Sequence, residues 1–418
     1  MTNHEWNRRR WLGMAAGAAA AVPGRGAQKP VRIALIGAGS RGTGLLRVLL
    51  SFPDVQIPAI CDIDEKSLSR AADLAQKALG RRPEGYSKGP GDYRRMLERT
   101  DIDAVLIATP QDSHAAMSMD AMRAGKFAAS EVPACITLEE CRELVLTERK
   151  TKSGYMLLEN YRYRRDVMQV ANMARQGVFG DLTYAECAYI HEIRSMRFNP
   201  DGTLTWRGRN AAENIGDLYP THSLGPVCGW LGINRGDRLV SMVTMASKAA
   251  ATHEYAVRRF GKDSPASQVK FLNGDTNNTL IRTAQGRLIA VRYDVASPRP
   301  SGMGQYALQG TRGSYESAFG EAKVYIEGRS PAHKWEPLEK YQAEYEHPYW
   351  ASRGAAAVKT GHGGGDYFVI SDLLEAIRTG QSPINAVDAA TWSAVRPLSA
   401  ESLRRGSSAV EIPDFSRL

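Results

Sequence analysis

The chain is poor in cysteine: Cys61, Cys135, Cys141, Cys187 and Cys228 are its only five in 418 residues. They show no metal-ligand spacing, so the sequence assigns no metal site. Their odd number and apolar neighbours predict buried free thiols and no disulfide framework. Beyond residue 30 no run of about 18 apolar residues occurs, and no permanent membrane span is expected in the mature protein. There is also no Lys/Arg run interleaved with aromatics. The formal charge is +9. Arg8, Arg9, Arg10, Arg25 and Lys29 against Glu5 place +4 of that in residues 1–29 and leave +5 for the rest. So small a surplus argues against a nucleic-acid partner. Long repeats and low-complexity segments are absent beyond the start.

The first residues carry a different message. Asn7-Arg8-Arg9-Arg10-Trp11-Leu12 precedes an Ala/Gly-rich stretch from Gly13 to Val22. A charged segment followed by a short apolar run has the plan of a signal peptide. The arginine pair and the bulky apolar residues after it resemble a twin-arginine signal, with Arg25-Gly26-Ala27 a poorly written cleavage site. That route carries folded proteins, so export, most simply to a periplasm, is compatible with reduced cysteines and a preloaded cofactor.

From Val31 the pattern is that of a dinucleotide-binding fold. The apolar run Val31–Ile36 leads into Gly37-Ala38-Gly39-Ser40-Arg41-Gly42, and Leu45, Leu46, Val48 and Leu49 follow at helical spacing. Glycines at these positions allow a tight turn and let backbone N–H groups approach a pyrophosphate. A second strand, Gln56–Cys61, ends at Asp62, where a carboxylate accepts ribose hydroxyls and repels a 2′-phosphate, favouring NAD over NADP. A third, Ala104–Thr109, runs into Pro110-Gln111-Asp112-Ser113-His114. A helix over 115–124 and the segment Phe127–Ser130 then lead to Glu131-Val132-Pro133. Such βαβ alternation predicts a doubly wound parallel sheet. Further on, Val240–Ala246, Thr279–Arg282, Leu288–Tyr293 and Tyr306–Gln309 predict a mainly antiparallel open sheet. Asp366–Thr379 reads as an amphipathic helix and Asp388–Arg405 as another that Pro397 splits; 331–360 reads as a long loop.

The order G-x-G-x-x-G, strand-terminal Asp, Thr-Pro-x-x-x-His and Glu-x-Pro resembles the glucose–fructose oxidoreductase/inositol dehydrogenase superfamily. Its dehydrogenases mostly read Glu-Lys-Pro, and Val132 in place of the lysine can relay no proton. Leu158-Glu159-Asn160, Tyr163-Arg164-Arg165-Asp166, Gly216–His222 and Gly361-His362-Gly363-Gly364 narrow the match. Over residues 31–418 the chain resembles glycoside hydrolase family 109, whose founding activity is an NAD-dependent α-N-acetylgalactosaminidase. The resemblance implies an α/β N-terminal Rossmann domain (30–155) and a C-terminal α+β domain (156–418) whose last helices pack back on the first. It also implies a homo-oligomer. Its NAD contacts fall on the loop glycines Gly37, Gly39 and Gly42 with Ser40 and Arg41, and on Asp62, Gln111, Asp112, Ser113, His114, Glu131, Val132 and Asn160. Its sugar contacts fall on Tyr189, Arg207, Tyr219, Pro220, Thr221 and His222. His222 and Tyr189 are the expected catalytic pair. Ser301, Gln111 and Ser113 stand where family members carry aromatics, so the sugar is expected to be held differently here.

The implied reaction is transient oxidation at C3, elimination of the C1 substituent, addition of water and re-reduction, with NAD tightly held and recycled. No carboxylate pair of the usual glycosidase kind is needed. Two alternatives stay open: an exported sugar oxidoreductase with tightly bound NAD(P), and a non-catalytic sugar-binding protein. His362 is left as a substrate-loop or turn residue, and His191, on the same strand face as Tyr189, as a lesser candidate.

Overall fold

The computed structural model describes residues 29–300, 303–318 and 320–418. The arginine pair Arg8-Arg9 and Ser301 lie outside the described residues. Among those described, strand Val31–Ile36 sits at the centre of a wholly parallel sheet. Its neighbours are Ala59–Cys61 on one side and Ala104–Ile107 on the other, extended by Glu84–Tyr86 and by Phe127–Ser130 and Tyr155–Leu157. Ile33, Leu35 and Leu106 are fully buried because helices cover both faces. The chain order reverses direction at Val31–Ile36, and ligands of doubly wound sheets bind beside such a switch.

The second sheet has nine strands among the described residues. The order from one edge is Glu336–Pro337, Glu321–Ile326, Gly313–Ala318, Gln305–Gly310, Leu182–Ile190, Leu288–Asp294, Thr276–Thr283, Leu239–Ala246 and Val410–Glu411. All its pairings are antiparallel except that of Leu182–Ile190 with Leu288–Asp294. Helix Thr221–Leu231 packs on Leu182–Ile190 and brings the Tyr219–His222 segment over the sheet. Helix Gly365–Thr379 returns to lie against Ser40–Leu49, with Tyr367 stacked on Phe52 at 5.1 Å. Helix Ala386–Ser393 likewise packs on Leu138–Thr151, and Ser393 Oγ accepts from the Ala134 N–H at 3.1 Å.

Three sequence expectations need correction. The strand expected over Gln56–Cys61 is two pieces, Val55–Gln56 and Ala59–Cys61, because Pro58 has no N–H for a ladder. The expected loop over 331–360 holds strand Glu336–Pro337 and helices Gln342–Tyr345 and Pro348–Ala357. Burial of Tyr341, Tyr345 and Trp350 orders it, with the Trp350 indole donating to the Tyr163 carbonyl at 2.9 Å. The last long helix breaks at Ala394, giving Ala386–Ser393 and Val395–Arg404. Pro397 falls in the first turn of the second, where its missing N–H costs nothing. All five cysteines are buried and free, as expected.

Candidate active site

The glycine loop has the shape of a dinucleotide cradle. Gly37 has φ 89°, and a Cβ there would meet the Ala108 carbonyl carbon at 2.7 Å. A Cβ on Gly42 would lie 1.8 Å from the Gly37 oxygen, whereas one on Gly39 would meet nothing within 4 Å. Gly37 and Gly42 therefore close the turn, and Gly39 between them leaves the approach to its backbone open. Helix Ser40–Leu49 has no side-chain cap and no acid in its first turn, so its leading N–H groups remain for an anion. Asp62 ends its strand with Oδ2 accepting from the Ala38 N–H at 2.6 Å and Oδ1 from Asp64 at 2.8 Å, which fixes the carboxylate beside the loop.

Gly37, Gly39, Ser40, Arg41 and Asp62 line a cleft of about 730 Å³, together with Gln111–His114, Glu131, Val132, Arg207 and Tyr219. That volume is in the range of nucleotide and cofactor sites. Open backbone at Gly39, a free helix start and a strand-terminal carboxylate all fit NAD.

Arg41 leaves the loop to join the two halves of the chain. Its Nε donates to Glu131 at 2.7 Å, and its two Nη atoms donate to the two oxygens of Asp366 at 2.9 Å each. Burial works against the charge of Arg41, but both carboxylates together hold its pKa above the usual value. Asp366 also accepts from Asn160 Nδ2 at 2.7 Å and meets His362 Nδ1 at 3.0 Å. Its pKa is depressed: burial opposes this, and His362 and Arg41 outweigh burial. Asn160 Oδ1 is buried without a hydrogen-bond partner.

His222 occupies the first turn of helix Thr221–Leu231, and the fully buried Thr221 and Pro220 form its start. Tyr306 donates to the His222 carbonyl at 2.6 Å and locks that turn. Three tyrosines surround the imidazole, with ring centroids at 4.4 Å (Tyr161), 5.1 Å (Tyr219) and 5.3 Å (Tyr189). Its Nδ1 lies 2.9 Å from both oxygens of Glu159, which is fully buried. Burial pulls the His222 imidazole down to about 3 and pushes Glu159 well above the carboxylate range. The pair is thus most stable with one shared proton and no net charge. Burial also raises the Tyr189 phenol, whose hydroxyl meets His191 Nδ1 at 2.8 Å, while His191 is lowered chiefly by burial and then by Arg207. Arg207 lies over the Trp206 ring at 4.1 Å and among the described residues has no carboxylate partner.

The structure thus gathers Tyr189, Tyr219 and His222 into one cluster, with Arg207 and Tyr219 on the wall of the dinucleotide cleft. Some expected cofactor residues are engaged elsewhere. The Gln111 oxygen accepts from Arg396 at 2.6 Å, and Ser113 donates to Thr109 and to the Pro110 carbonyl. Both ring nitrogens of His114 meet main-chain carbonyls, of Pro133 and Thr109, at 2.8 Å. Sequence reasoning missed Glu159, Tyr161 and Asp366 as site residues and left His362 aside. Glu159 stands 63 positions from its histidine, and only its place before Asn160 could have marked it.

A parallel sheet with a cofactor cleft at its switch point, joined to an open sheet whose packed helix sets His222 against the buried Glu159, defines the NAD-binding oxidoreductase class. Residues 31–158 match the family model "Oxidoreductase family, NAD-binding Rossmann fold", and residues 163–418 match "Glycosyl hydrolase 109, C-terminal domain". The chain belongs to glycosyl hydrolase family 109, and with its Rossmann domain it is an NAD-dependent glycosidase. A family 109 protein of Stenotrophomonas maltophilia is 40% identical, over 93% of this chain and 89% of its own length. An alpha-N-acetylgalactosaminidase of Shewanella oneidensis is 38% identical, over 93% and 85%. The fold is shared with levoglucosan dehydrogenase in complex with NADH, at TM-score 0.73 and 20% identity, covering 92% of this chain and all of that one. No helix among the described residues is long and apolar enough to cross a membrane.

Proposed function

We propose that this glycosidase cleaves a terminal hexoside or N-acetylhexosaminide by oxidation at C3, elimination, hydration and re-reduction. The observation that carries this is the buried Glu159–His222 pair, set among tyrosines where the dinucleotide cleft meets the second sheet. NAD, when bound, supplies the reversible oxidation of the C3 carbinol. Gly37, Gly39, Gly42, Ser40 and Asp62 bind it, and Arg41 ties the loop to Glu131 and Asp366.

In the chain's own part of the reaction, His222 Nε2 takes the C3 hydroxyl proton. The pair acts from its proton-free form, with Nε2 unprotonated. Taking the hydroxyl proton brings Glu159 and the imidazole to the uncharged one-proton state that burial favours, and giving it back at the end of the cycle restores the base. Tyr189 takes the C2 proton as its own hydroxyl proton passes to His191 Nδ1, 2.8 Å away, with Arg207 stabilising the developing oxyanion. His362 gives a proton to the leaving oxygen. It lines an 880 Å³ cleft together with Tyr161, whose ring lies against both His222 and His362, and is held through Nδ1 by Asp366. Water then adds at C1 as His362 takes back a proton from it, and Tyr189 and His222 return their protons to C2 and to the C3 oxygen. Val132 is 2% exposed and lines the cleft with no proton to exchange, which favours glycoside cleavage over net dehydrogenation.

The cofactor ends each cycle as it began, and this suits an exported protein. The twin-arginine-like start supports loading with NAD before export. Protein purified without added NAD should contain it, and cleavage should consume none. The decisive test is turnover of p-nitrophenyl glycosides of both anomers, with and without the N-acetyl group, in D₂O. Deuterium should enter at C2 of the released sugar; cleavage without it rejects the mechanism.

A further inference from the structure

A small chamber of about 50 Å³ opens off the dinucleotide cleft at Gln111, Trp206, Arg207 and Tyr219, directly behind the catalytic tyrosines. Its volume holds a few waters or one compact three-atom group. No Asp or Glu is among its lining residues, yet two arginines are, Arg197 and Arg207. Arg197 is 2% exposed. It donates to Thr252, its Nε has no hydrogen-bond partner, and it forms no ion pair among the described residues.

The carboxylates whose charge reaches Arg197 are committed elsewhere. Glu192 holds Arg194 at 2.7 Å, and Asp275 accepts from the Ala250 and Ala251 N–H groups. A third guanidinium braces the chamber wall: Arg396, 6% exposed, donates to Gln111 at 2.6 Å and to Asn210 at 2.8 Å, with no carboxylate in contact. Asp112 and Glu213 line the neighbouring 210 Å³ cavity with Arg396, not the chamber. Burial depresses the pKa of both Arg197 and Arg396 and outweighs the carboxylates that lie farther off, Asp275 and Glu192 for the first and Glu140, Asp217 and Asp112 for the second. The wall is also fixed in place. Gly208 seats helix Trp206–Glu213 on the Arg197 backbone, where a Cβ would lie 2.1 Å from the carbonyl oxygen.

A cation taken out of water and left unpaired is unfavourable, and a fork of guanidinium N–H groups matches an oxyanion. We infer that this chamber is a subsite for an oxyanion carried on the sugar ring, so that the preferred substrate is an acidic glycoside, a hexuronide or a ring-sulfated hexoside. The inference rests on the glycosidase reading for its position beside Tyr189 and Tyr219. The anion is part of the substrate: it enters with the sugar and leaves with it, and no bond to it is made or broken. Gln111 and Asn210 are the residues through which Arg396 meets the chamber wall.

The test uses the NAD-loaded enzyme and three aryl hexosides of one configuration: neutral, C6-carboxylate and 6-sulfate. The kcat/KM of one acidic substrate should exceed that of the neutral one by about 100-fold, as expected for charge-assisted hydrogen bonds. The carboxylate-to-sulfate ratio identifies the carrier. Arg197→Met should lower the acidic-to-neutral ratio at least tenfold, and Arg396→Gln should lower it as well. Equal or better turnover of the neutral hexoside overturns the subsite and leaves the glycosidase reading standing. If no hexoside is cleaved, that reading fails, and calorimetric binding of free hexuronate against free hexose decides the subsite by itself. Tighter hexuronate binding that Arg197→Met abolishes supports it; equal binding refutes it. The acidic-to-neutral kcat/KM ratio and the hexuronate-to-hexose binding ratio are both read on the unmodified protein, so a ratio of one refutes the subsite even if a variant fails to fold.

Discussion

Replacing Glu159 by glutamine removes the proton acceptor of the pair, and with it the shared proton, and keeps the shape of the side chain. Shape matters here, since a Cβ on Gly225 would lie only 2.5 Å from Glu159 Cγ. Glutamine still places one oxygen or nitrogen within reach of His222 Nδ1, now 2.9 Å from both carboxylate oxygens. Trading a charge-assisted hydrogen bond for a neutral one costs about 1–1.5 kcal/mol, roughly tenfold in rate. Loss of the acceptor that makes the pair a base adds about 10²-fold, the lower end of general-base contributions. We therefore expect kcat for an aryl glycoside to fall about 10³-fold. Folding stability should change by no more than about 1 kcal/mol, because volume is conserved. The assay is initial-rate release of p-nitrophenol, with bound NAD and Tm measured on the same preparation. A kcat reduced less than tenfold, with NAD and Tm unchanged, would refute the account of the pair as the base for the C3 hydroxyl.

His362→Ala should slow an alkyl glycoside at least tenfold more than its p-nitrophenyl counterpart, because the better leaving group needs less proton donation; equal losses would remove His362 from that role. Gly42→Ala puts a methyl group against the Gly37 carbonyl, so the purified variant should have lost its NAD absorbance while keeping its far-UV circular dichroism. His347 accepts from the Tyr349 N–H at 3.2 Å, and burial pulls it from 6.5 to about 4. Below pH 6.5 the unfolded chain binds a proton there that the folded chain refuses. Its contribution is therefore present above pH 6.5 and lost as the pH falls toward 4. His347→Asn, which can retain the helix cap, should flatten the fall of Tm over that interval; an unchanged slope would sink the assignment.

The sequence by itself determined the parts whose information is local. The loop Gly37–Gly42 between an apolar strand and a helix requires no distant residue, because turn sterics and helix-start amides act within a few positions. Asp62 and the alternation of strand and helix are legible for the same reason. The Tyr219–His222 element and Val132 stood out as residue types at fixed positions, and they carried the family resemblance.

Only the tertiary structure decided how these parts become a site. Glu159 meets His222 because helix Thr221–Leu231 packs on the second sheet beside the end of the first. Asp366 meets Arg41 because a helix more than 300 positions away folds back on the glycine loop. Burial, a property of the packed whole, moves the proton affinities of His222 and Glu159 in opposite directions and makes them one acid–base pair. The segment over 331–360 departs from the loop its sequence suggests for a related reason. Its charge and aromatics have no helical period, and it is ordered by Tyr341, Tyr345 and Trp350 entering a core built elsewhere in the chain.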